Sequence, residues 1–176
     1  MENRKLEKMI IAVTALFVIA GIMIMFGGNI LNGLNSKSRN DVTVMPEATG
    51  TTDVIKADTV VEQTFVCNAS FIEKIGIVFT KDDPNNSAVI AVELLEGKRV
   101  IASETYSVTS IQEQHRTFLE PEKTLTSVSG KEYTLRIYSA NDTDTGVRIL
   151  MSSDIDSTFK FGSKTVRGTL CFSVSE

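Results

Sequence analysis

Few residues in this chain are placed to do chemistry. His115 is its single histidine and lies in the polar run Gln112-Glu113-Gln114-His115-Arg116. A serine triad or a general-base mechanism would have to use it, yet no Gly-x-Ser-x-Gly elbow accompanies it. Such a polar run reads as a loop or an exposed strand start, so we expect a solvated surface histidine. One histidine and two distant cysteines also lack the spacing of a zinc site. Two acidic turns offer oxygen ligands of the kind calcium takes. Asp82, Asp83, Asn85 and Asn86 crowd one, and Asn141, Asp142 and Asp144 the other. Asp-Asp-Pro-Asn and Asn-Asp-x-Asp-x-Gly are equally plain turn sequences, and the second lacks the full spacing and terminal Glu of an EF-hand loop. We expect turns rather than metal sites, and no cofactor.

Binding chemistry has somewhat better material. The chain has three tyrosines and no tryptophan, which leaves few flat platforms for a sugar. Tyr133 shares parity with Leu135 and Ile137 and should be core. Tyr138 alternates outward with Arg136, giving an exposed aromatic beside a cation. The competing reading of that pair is a cross-strand surface contact with no ligand. Cys67 and Cys171 form an even pair that invites a disulfide. Their parities differ, however: Cys67 runs with Val61 and Phe65, whereas Cys171 opposes Leu170, Phe172 and Val174. Bridged side chains must leave on the same face, so two free thiols are the favoured state.

The elements that would position these residues fall into distinct regimes. Met9 to Gly28 carries no charge. Twenty helical residues rise about 30 Å, the thickness of a bilayer core. A transmembrane helix over 9–28 is expected, retained rather than cleaved, because the run exceeds a signal core and ends without an A-x-A-like site. Arg4, Lys5 and Lys8 lie close on one side, with Lys37 and Arg39 farther away on the other. That bias puts the tail 1–8 in the cytoplasm and the remainder outside. Residues 29–58 lack aromatics and are rich in Asn, Ser, Thr and Gly. They read as a flexible linker spanning roughly 30 Å. A formal charge of −4 argues against electrostatic nucleic-acid binding.

Over 59–176 the apolar period is two. Ile75, Ile77 and Phe79 alternate with polar or small residues. Ala88, Ile90, Val92 and Leu94 do the same, as do Tyr133, Leu135 and Ile137, then Val147, Ile149 and Met151, and finally Leu170, Phe172 and Val174. With Val61–Val66 and a piece near Arg116–Leu119 this gives roughly seven to nine strands, each with one half-buried face. The fold expected is all-β, an antiparallel β-sandwich, jelly-roll-like rather than immunoglobulin-like because the Cys-Trp-Cys signature is absent.

The succession Gln63-Thr64-Phe65, Ile75-Gly76-Ile77-Val78-Phe79-Thr80, Ile90-Ala91-Val92-Glu93-Leu94 and Gly130-Lys131-Glu132-Tyr133-Thr134-Leu135 resembles a bacterial extracytoplasmic β-sandwich module. That module is similar to galactose-binding-like jelly rolls attached to membrane proteins of cell-surface polysaccharide assembly. The resemblance implies a non-enzymatic accessory or binding role in the cell envelope and supplies no ligand residues. Two further readings stay open. One is a docking subunit of a membrane or surface protein complex, which an apolar patch or open sheet edge would favour. The other is a hydrolase, which would need two carboxyls facing each other across a pocket, about 5–9.5 Å apart.

Overall fold

The computed structural model describes residues 41–43 and 45–176, within a compact unit running from Asn40 to Glu176. The expected tail 1–8 and span 9–28 lie outside the described residues. Among the described residues no helix is long and apolar enough to cross a membrane.

The described chain is all-β, with one 3-10 turn at Val108–Ser110. Its strands are β1 (Asp41–Thr43), β2 (Gly50–Thr51), β3 (Val60–Val66), β4 (Phe71–Ile72), β5 (Lys74–Lys81), β6 (Val89–Glu96), β7 (Arg99–Ser107) and β8 (Arg116–Leu119). Then follow β9 (Leu125–Thr126), β10 (Glu132–Ser139), β11 (Val147–Ser152), β12 (Thr158–Phe161), β13 (Lys164–Arg167), β14 (Thr169–Leu170) and β15 (Phe172–Ser175). A six-stranded antiparallel sheet has the order β13-β12-β3-β10-β6-β7. A seven-stranded sheet has the path β1-β15-β5-β11-β14, with β2 on β11 and β8 on β5. Beyond the hairpins β6-β7 and β12-β13, most successive strands change sheet.

Period two explains which side of a strand such as β10 is hidden. In β10, Tyr133, Leu135, Ile137 and Ser139 are buried, with Thr134, Arg136 and Tyr138 half-buried between them. The inner faces of both sheets feed one cluster: Val61, Ile90, Val92, Leu94, Leu135 and Ile137 from the six-stranded sheet, Ile75, Ile77, Phe79, Ile149, Phe172 and Val174 from the other. The rings of Phe65 on β3 and Phe172 on β15 lie 4.9 Å apart, closing the gap between the sheets. Fully burying each such side chain stabilises the fold by about 1.5–3 kcal/mol. A polar stitch runs through the same gap. Gln63, buried on β3, accepts from the Leu170 backbone N–H at 2.7 Å and faces the Thr169 hydroxyl at 3.2 Å.

Strand β5 is buried on both faces over most of its length. On the side away from the core, Phe118, Arg116 and Ser173 come so close to Gly76 that a Cβ there would meet all three at 3.0–3.1 Å. The Lys74 ammonium sits 4.2 Å from the centre of the Phe118 ring, a cation–π contact.

The linker expected over 29–58 requires correction in its second half. β1 pairs with β15, and residues 49–55 run along the edge of β11. There Thr49, Thr52 and Ile55 each donate a backbone N–H to Met151, Ile149 and Val147, all at 2.9 Å. Ile55 is fully buried and the Thr52 hydroxyl accepts from the Ile149 N–H at 3.1 Å. A segment too polar to fold alone still has backbone groups, and an open strand edge pairs them wherever one or two side chains can be buried.

Candidate ligand-binding site

The outer face of the six-stranded sheet carries the best-organised polar surface among the described residues. Register builds it. Arg136 on β10 stands opposite Glu62 on β3 and Glu93 on β6, while Lys160 on β12 stands opposite Glu62 and Ser103 on β7 opposite Glu93. One row across five strands therefore reads Lys, Glu, Arg, Glu, Ser. Arg136 Nε donates to Glu62 Oε1 at 3.0 Å and Nη1 to Glu93 Oε2 at 3.3 Å. The Tyr138 hydroxyl donates to the other Glu93 oxygen at 3.0 Å; burial first, and that bond second, push its phenol upward in pKa. In the adjacent row the Thr64 and Thr134 hydroxyls face each other at 3.1 Å. Cross-strand pairs of this kind contribute only about 0.2–1 kcal/mol each, so the array positions side chains more than it stabilises the sheet.

These residues line a trough. A cavity of about 570 Å³ is bounded by Glu62, Thr64, Lys98, Thr134, Arg136 and Lys160 among others. It shares Glu62 and Arg136 with a cavity of about 430 Å³ that also touches Val60, Tyr138 and Gly162. That one shares Val60 and Gly162 with a cavity of about 780 Å³ lined by Asp53, Lys56, Asp58, Arg148 and Lys164. The three follow β3 from Thr64 to Asp58, roughly 20 Å at the rise of a strand. The far wall is the β12-β13 hairpin, joined to β3 by only Lys160↔Glu62 and Phe161↔Val61 and turning through Gly162 at φ 58.

Tyr138 and Arg136, the pair singled out from sequence, thus lie together on the outer face as expected, but already engaged by Glu93 and Glu62. Those two glutamates, Lys98, Lys160 and the whole β12-β13 hairpin were missed. The alternation Thr158-Phe159-Lys160-Phe161 before Gly162 was the available signal for the hairpin. The glutamates had no local signal, since only strand register brings them to Arg136.

The other candidates resolve differently. The two acidic turns come together, with Asn86 Nδ2 donating to the Asp144 carbonyl at 3.0 Å, but their oxygens serve the turns. Asp83 accepts from the Asn85 N–H, Asn86 from Ala88, Asn141 from Val89 and Asp144 from Ala57. Asp82 is gripped by Arg148 at 2.9 and 3.0 Å, which holds its carboxyl below the usual range. Asp142 sits exposed at φ 50. Among the described residues no group of three or more His, Cys, Asp or Glu side chains is arranged to hold a metal ion. His115 is exposed in the turn before β8.

Cys67 and Cys171, weighed above as a bridge, are free thiols. Cys67 follows β3 in one sheet; Cys171 separates β14 from β15 in the other. Parity opposite to Leu170, Phe172 and Val174 would turn Cys171 outward, yet it is fully buried. The reason is that the chain changes partner there: Leu170 pairs with β11, Phe172 with β5, and the Cys171 N–H donates to Leu150. Burial pushes its thiol up to about 11 and raises that of Cys67 too.

No family model matches this chain, and no curated protein matches it.

Proposed function

We propose that this chain is a single-pass membrane-anchored protein, N-terminus inside, that presents a non-enzymatic β-sandwich of jelly-roll type outside the membrane to bind a cell-surface glycan or assist its assembly. The uncharged run 9–28 supports the anchor, and the repeated crossing of successive strands between two sheets supports the jelly-roll order. The observation that carries the binding role is the trough along β3. Its floor presents carboxylate, guanidinium, phenol and hydroxyl groups fixed by mutual hydrogen bonds, and a polyhydroxylated ligand can exchange such bonds without reordering the surface. Glu62 and Glu93 do not make a hydrolytic pair, because they face each other across Arg136 and not across open space.

The test is binding of the full chain in detergent micelles to an array of envelope oligosaccharides, beside Arg136→Ala and Tyr138→Phe variants. Saturable binding to one class, weakened at least about tenfold by Arg136→Ala, is the expected result. A blank across the array moves the assignment to the second reading, a docking subunit. The edge of β7, which among the described residues pairs only with β6 in its sheet, favours that reading by offering a partner strand nine residues of backbone.

A further inference from the structure

We propose that the Thr64 end of the trough is an acidic-saccharide site, in which Lys98 and Lys160 take the anionic group of the ligand and the threonines its hydroxyls. The proposal rests on the glycan reading above and names the class of glycan.

Charge bookkeeping along the trough separates its two ends. The large cavity at the Asp58 end mixes Asp53 and Asp58 with Lys56, Arg148 and Lys164, and Arg148 is taken by Asp82. The cavity at the Thr64 end is lined by three cations, Lys98, Arg136 and Lys160, and one carboxylate, Glu62. Arg136 is neutralised by Glu62 and Glu93. The Lys160 ammonium, although its residue stands opposite Glu62 in register, has no ion-pair or hydrogen-bond partner among the described residues, and neither does the Lys98 ammonium. Two uncompensated ammonium groups therefore border one groove of a chain whose formal charge is −4.

The backbone fixes where they stand. Lys98 follows Gly97, which takes φ 62 in the β6-β7 turn, and Lys160 is held by β12 pairing to both β13 and β3. Between them Thr64 and Thr134 present paired hydroxyls, and Thr158 and Thr165 line the wall. A bare anion would satisfy the lysines but leave the threonine row unused. A neutral sugar would use the threonines but not the ammonium groups. An acidic saccharide such as a uronate uses both.

The experiment titrates the full chain in micelles with a linear oligogalacturonate, with its fully methyl-esterified neutral form, and with inorganic phosphate. Variants are Lys98→Gln/Lys160→Gln and Thr64→Val/Thr134→Val, at exposed or half-buried positions where substitution leaves the fold intact. At low salt the acidic oligomer should bind about tenfold or more tighter than the ester, and the double lysine variant should abolish that preference. The double threonine variant should weaken both forms. Equal binding of acid and ester, indifferent to Lys98→Gln/Lys160→Gln, overturns the acidic class and leaves the glycan reading standing. Phosphate competing as well as the oligomer overturns the saccharide part. Failure of both oligomers while other sugars on the array bind refutes the inference alone; failure of every sugar refutes both.

Discussion

Gln63→Leu tests whether a single buried amide stitches the two sheets. The substitution keeps the approximate volume and removes both the acceptor and the donor. Thr169 retains an alternative acceptor in the Leu170 carbonyl at 3.3 Å, and Ser157, half-buried and 3.4 Å from the Gln63 amide nitrogen, can turn to solvent. The group left stranded is the Leu170 backbone N–H, which Gln63 Oε1 accepts at 2.7 Å. A buried unsatisfied donor costs about 1–3 kcal/mol. The greater hydrophobicity of leucine offsets part of this, so the net loss is about 2 kcal/mol. For a folded unit of this size each kcal/mol lowers Tm by about 3–4 °C, giving a drop of about 6–8 °C by far-UV circular dichroism. Hydrogen exchange supplies the specific readout: the Leu170 amide should lose protection before its neighbours on β11 do. Gln63→Glu should be worse than Gln63→Leu at neutral pH, because it keeps the acceptor but buries a charge. A Tm within about 2 °C of the parent for Gln63→Leu, with Leu170 protection unchanged, would refute the stitch.

Two further outcomes follow from backbone and burial. Gly168 adopts φ +116, where a side chain is strained and a Cβ would collide with the Ser152 carbonyl; Gly168→Ala should destabilise the fold by about 2–3 kcal/mol, and an unchanged thermal midpoint would contradict this. Cys171, with a thiol raised from 9.0 to about 11 by burial, should resist Ellman's reagent at pH 8 until the protein unfolds. The folded state holds the proton more tightly than the unfolded one, so this contribution to stability is complete below pH 9 and drains as pH climbs through about 11. Tm measured from pH 8 to 11 should therefore fall more steeply for the parent than for Cys171→Ala; parallel curves would show that the thiol is not differentially protonated.

Much of the fold was legible because alternation is a local property. Tyr133, Leu135 and Ile137, or Ala88, Ile90, Val92 and Leu94, announce a half-buried strand and its inner side without any knowledge of the partner strand, and all seven are buried. The same logic failed at Cys171, where parity presumes one continuous strand and the chain switches from β11 to β5. It failed again over residues 49–55, where composition correctly forbids independent folding but says nothing about recruitment to an existing edge.

The candidate site divides along the same line. The outward pairing of Arg136 with Tyr138 was readable within β10, since residues two apart on a strand share a face. The sequence by itself thus determined an uncharged run at 9–28, an alternating β region, its inner faces, and the absence of the residues that catalysis by histidine or stacking on tryptophan would need. Tertiary structure alone decided that Glu62 and Glu93 clamp Arg136, that Lys98 and Lys160 are left uncompensated beside paired threonines, and that the two cysteines adjoin strands of different sheets. These contacts join residues tens of positions apart, and the register that aligns them is set by packing of the whole core rather than by any local pattern.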